Sequence, residues 1–93
     1  MTDDRHQAVL DALAALREAL RGAQTADAER ALYQCERLEQ ALHHWHAEAI
    51  RFSSFTINHI VRSPQADLGA AGDPVRHRVA DLRQALDAAG HVF

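Results

Sequence analysis

The chain predicts an all-α fold, and three observations carry that expectation. Apolar residues recur at alternating spacings of four and three in three runs: Val9, Leu13, Leu16 and Leu20; Leu38, Leu42, Trp45, Ala49 and Phe52; Val75, Val79, Leu82 and Leu86. Such spacing keeps side chains on one stripe of a helix, whereas a strand needs a period of two. Pro and Gly, the strongest local punctuators, occur only at Gly22, between Pro64 and Pro74, and at Gly90, which leaves three uninterrupted segments. The expected architecture is three main helices, short, long and short.

The first helix is expected over about 4–21, capped by Asp3 or Asp4 and closed by Gly22, a residue suited to the left-handed position after a helix end. Thr25 or Asp27 caps the second, and Asp27 and Glu29 sit favourably against the positive end of its dipole. Neither Pro nor Gly interrupts the chain from there to Ser63-Pro64, so this helix is expected to run unbroken over about 26–62. Residues 63–72, with Pro64 and two Gly around Leu68, read as a loop. Asp73-Pro74 then starts a third helix over about 74–89, an acidic cap followed by Pro where its missing N–H costs nothing. Gly90 ends it, and Val92 and Phe93 form an apolar tail able to pack back.

Length makes the middle helix a problem for a single chain. Unbroken, it is roughly 37 residues and about 55 Å long, twice the reach of either neighbour. From Trp45 onward Ala49, Phe52, Ile60, Ile57, Ile50 and Val61 fill about half its circumference, with Phe55 beyond that arc, which is more than two short helices cover. An antiparallel homodimer closes both halves, with Leu38, Leu42, Trp45, Ala49, Phe52, Ile57 and Ile60 as the expected core and interface. The competing arrangement breaks the helix near Ser53-Ser54 and completes a four-helix bundle within one chain.

Composition narrows the function classes. At 93 residues the chain is expected to form one small domain, for which oligomerisation is a common source of extra buried area. A net charge of −3, with ten Arg and no Lys, argues against a nucleic-acid-tracking surface. The exclusive use of Arg together with abundant Ala suggests a GC-rich, bacterial coding sequence, which is a codon argument. A single cysteine, Cys35, excludes a disulfide framework, and the acidic start Met1-Thr2-Asp3-Asp4 is unlike a signal peptide. No apolar run approaches the roughly 20 residues of a membrane span, so a cytoplasmic protein without membrane association is expected.

No complete catalytic or cofactor-binding signature occurs, and the expected role is non-catalytic: an interaction or regulatory module with a protein partner the sequence does not identify. One cluster supports an alternative. Glu39, His43 and His46 fall on one flank of the middle helix at spacings of four and three, which suits a shared divalent metal such as Zn or Fe. One helix supplies too few ligands for a closed site, so the dimer axis near His43 and His44 would bring in the second set. A weaker alternative is a helical ribonuclease or a toxin–antitoxin component, from Arg37 upstream of His43. Cys35 lies in the apolar arc and reads as a small buried hydrophobe, and Trp45 as the centre of the core.

Overall fold

The first helix forms where its stripe places it. A computed structural model describes residues 4–91; in it α1 spans Asp4–Arg21 and buries Val9, Leu13, Leu16 and Leu20. Asp3, the alternative cap, and the tail residues Val92 and Phe93 lie outside the described residues. The left-handed residue after α1 is Gln24, at φ 52°, and not Gly22. Ala23 N–H donates to Leu20 O at 3.1 Å, a tightened last turn that delays the reversal until the chain reaches the next cap.

Helix α2 spans Ala26–His43, with Thr25 as its N-cap in an extended conformation and its hydroxyl accepting from Ala28 N–H. The rod expected over 26–62 does not form. It is two helices, because α2 stops at His43 and α3 runs over Ala47–Arg62. The break lies at His44, Trp45 and His46, ahead of the two serines. Trp45 N–H donates to Leu42 O at 3.4 Å and His46 N–H to Ala41 O at 3.0 Å, while Trp45 itself takes φ 51°. Those two bonds and a left-handed residue between them make a Schellman motif, which satisfies the orphan carbonyls at a helix end. His46 then caps α3, its Nδ1 accepting from Ala49 N–H at 3.3 Å. Sequence gives little warning here, since the left-handed position that usually carries Gly carries Trp.

The serines expected as the weak point sit inside α3, buried against the core. Ser54 Oγ donates to Ile50 O at 2.6 Å, so its hydroxyl is satisfied within the helix and does not interrupt it. The buried stripe of α3 is Ile50, Ser53, Ser54, Ile57, Ile60 and Val61. Ile50, Ile57, Ile60 and Val61 belong to the apolar arc expected from the pattern, and the two serines join them on the inner side while Phe52 leaves it.

A short 3₁₀ turn at Gly69–Ala71 leads into α4, Gly72–Ala88. That start is two residues earlier than Pro74, which still falls in the first turn, where no N–H is needed. Asp73 pairs with Arg76 and does not cap the helix. Gly90, at φ 90°, ends α4 with the same two-bond pattern seen at Trp45: Gly90 N–H to Asp87 O and His91 N–H to Leu86 O.

Helix α1 packs chiefly on α4 and α2 chiefly on α3, with α1–α2 and α3–α4 contacts closing the group into a body of 40 × 21 × 18 Å. The three-helix count is thus corrected to four helices around one aliphatic core. Leu68 is buried and anchors the α3–α4 connection in that core. Thr25 and Asp27 fix the same connection from α2: Thr25 Oγ1 donates to Asp67 O at 2.6 Å, and Asp67 N–H donates to Asp27 Oδ2 at 2.8 Å. Pairing two long antiparallel rods requires a rod the chain does not make, because α3 folds back to cover α2 within the same chain.

Candidate functional site

Two regions hold side chains that the core does not use. The first is the end of the bundle where α2 turns into α3. His6 of α1 lies with its ring centroid 4.6 Å from that of Trp45, and His91, beyond α4, lies 6.5 Å from it. With His43, His44 and His46 this gathers five of the chain's seven histidines at one end. Trp45 is 60% exposed and rests between surface rings, which corrects its expected place in the core.

The proposed metal ligands are only partly brought together. His43 Nε2 lies 3.9 Å from Glu39 Oε1. Glu39 Oε2 is 2.5 Å from Arg17 Nη1, so the carboxylate ties α2 to α1. His46 stands past the helix break and uses Nδ1 on the backbone. The geometric reason is the break itself, since the three-residue spacing from His43 to His46 keeps one face only along a continuous helix. Among the described residues no group of three or more His, Cys, Asp or Glu side chains lies close enough to hold a metal ion.

Cys35 is fully buried in α2, and burial pushes its thiol up to about 12, with Arg17 opposing and Glu36 adding to the rise. A thiol held that high stays protonated and is a poor nucleophile at neutral pH. Arg37 lies over the Tyr33 ring at 5.8 Å and donates to its hydroxyl at 3.3 Å.

The second region is the outer face of α3, which pattern reading missed. Of the expected core set, Leu38, Leu42, Ile57 and Ile60 are buried and Ala49 is half-buried. Phe52, however, is 63% exposed, and Phe55, one turn on, is 60% exposed. Phe52 faces solvent because the break at Trp45 resets the helical phase, bringing Ile50 and the serines inward. Glu48, Arg51, Phe52 and Phe55 line a shallow groove there, and His59 stacks on Phe55 at 6.1 Å with the planes 10° apart. Beside it, Tyr33 of α2, 56% exposed, lines a second groove with Gln34, Thr56 and Ile60. Gln34 Oε1 is buried there without a hydrogen-bond partner. No helix among the described residues is long and apolar enough to cross a membrane. Comparison with protein-family models, curated proteins and solved structures returns no match.

Proposed function

We propose that this chain is a small non-catalytic interaction module whose working surface is the outer face of α3 with the adjoining edge of α2. One observation carries the reading. The chain has five aromatic residues, and the four that are described, Tyr33, Trp45, Phe52 and Phe55, are all more than half exposed. Single exposed apolar residues are ordinary, but adjacent exposed aromatics are the residue types enriched where proteins meet. The buried core contains no aromatic side chain among the described residues, so Phe52 and Phe55 are not part of it.

The test is a photo-crosslinking amino acid placed at Phe55, with Gln84 on the exposed side of α4 as the control position. Illumination in the native host is expected to give protein adducts from position 55 and none from position 84. The adducts should disappear when Phe52→Ser is added. Absence of any adduct from position 55 overturns the reading.

A further inference from the structure

Glu48, Phe52, Phe55, His59 and Arg62 are all exposed and follow one another at spacings of four, three, four and three. This is the repeat of a helix-packing seam, laid on the side of α3 opposite its buried stripe. Its charges are polarised, with the acid at the N-terminal end and the base at the C-terminal end. Several charges elsewhere on the surface pair within the chain, as in Arg21–Glu18, Arg30–Asp27 and Arg78–Asp81. Glu48, Arg51 and Arg62 make no ion pair among the described residues.

We propose that the occupant of this seam is a second copy of the chain, with α3 packed antiparallel on α3 about a twofold axis passing between Phe52 and Phe55. This deepens the reading of α3 as the working surface and rests on it. A twofold interface must be self-complementary, each residue meeting a partner that meets it in return. In the antiparallel register that staggers two such seams, Phe52 meets Phe55 of the partner subunit, and the reverse follows by symmetry. Glu48 then falls level with His59 of the partner subunit and within one turn of Arg62 of the partner subunit, so both ends of the seam join opposite charges. A parallel pairing would set Glu48 against Glu48 and Arg62 against Arg62, which repel. Phe52, 63% exposed, and Phe55, 60% exposed, together offer on the order of 250 Å² of apolar surface per protomer at the centre of the seam. The rim of Glu48, Arg51, His59 and Arg62 lets the total reach the roughly 1,000 Å² of a specific interface.

Sedimentation equilibrium of the full chain, from about 1 to 100 µM, tests this. The expected result is a particle of twice the 10.3 kDa chain mass. Glu48→Arg alone and Arg62→Glu alone should each weaken association by roughly tenfold or more, and the two together should restore it. Both positions are exposed, so the far-ultraviolet spectrum should stay that of the native helices. A chain that remains monomeric at the highest concentration overturns the proposal, as does a dimer indifferent to Glu48→Arg or a double variant that does not recover. The crosslinker at Phe55 separates this failure from that of the broader reading. Adducts to other proteins from a monomeric chain remove the self-association and leave the interaction surface standing, whereas no adduct removes both.

Discussion

At Trp45 a bulky aromatic holds a backbone conformation that ordinarily belongs to glycine. Gly90 ends α4 through the same hydrogen bonds, so the two helix ends form a natural comparison. For a residue with a Cβ this conformation costs roughly 1–2 kcal/mol, and contact with His6 and His91 offsets part of it. Trp45→Gly and Trp45→Ala both lose the ring, but only Gly relieves the backbone. The glycine variant should therefore be the more stable by about 1 kcal/mol, or roughly 4–8 °C in a melting experiment on a chain of this size. Equal melting points would mean that the turn carries no strain. Cys35 gives a second prediction at this scale. Burial raises its thiol from 9.0 to about 12, so between those values the unfolded chain loses a proton that the folded chain keeps. Stability from this residue is complete below pH 9 and declines as pH rises toward 12. Denaturant titrations between these limits should show a shallower decline for Cys35→Ala than for the unmodified chain.

Individual helices are tied together at a few points that differ in exposure. The Arg17–Glu39 contact joins α1 to α2 with its side chains 23% and 39% exposed, whereas Arg21–Glu18 lies in water on a single helix. Screening limits both, but removing Glu39 also strands the half-buried guanidinium of Arg17, whose Nε already lacks a partner. Glu39→Ala should cost about 1 kcal/mol and Glu18→Ala no more than about half of that, as chemical denaturation can measure. Thr25 does two things at once, capping α2 and holding Asp67 O. Thr25→Ala should cost about 1–2 kcal/mol and loosen the α3–α4 connection, which would appear as faster amide exchange at Asp67 and Ala71. The start of α2 and the two ends of α4 were legible because they carry residues with a local reason to be there: Thr25, Pro74 and Gly90. The end of α2 was not, because His44, Trp45 and His46 owe their turn to what α3 gains by folding back. No residue preference in that tripeptide signals it.

For the whole molecule, four short helices close a core within one chain, and this changes what a second chain would be for. A rod with uncovered faces would need a partner in order to fold. A closed bundle with an aromatic seam on one outer face would associate after folding, through surface. The two cases separate in the concentration dependence of melting: a folded protomer at sub-dimer concentrations should still melt cooperatively, with the midpoint rising as the dimer fills. Loss of the transition on dilution would show that folding and association are one event.

Period and punctuation alone determined that the chain is helical, where α1 and α4 lie, and which aliphatic residues face inward on them, because those properties depend on neighbours within two turns. Tertiary structure alone decided that the middle segment breaks at Trp45. The free energy that reverses the chain there comes from burying Ile50, Ile57 and Val61 against residues distant in sequence, and it outweighs the local strain. That reversal in turn set which side of α3 meets the core, and so placed Phe52 and Phe55 outside and parted His46 from Glu39 and His43.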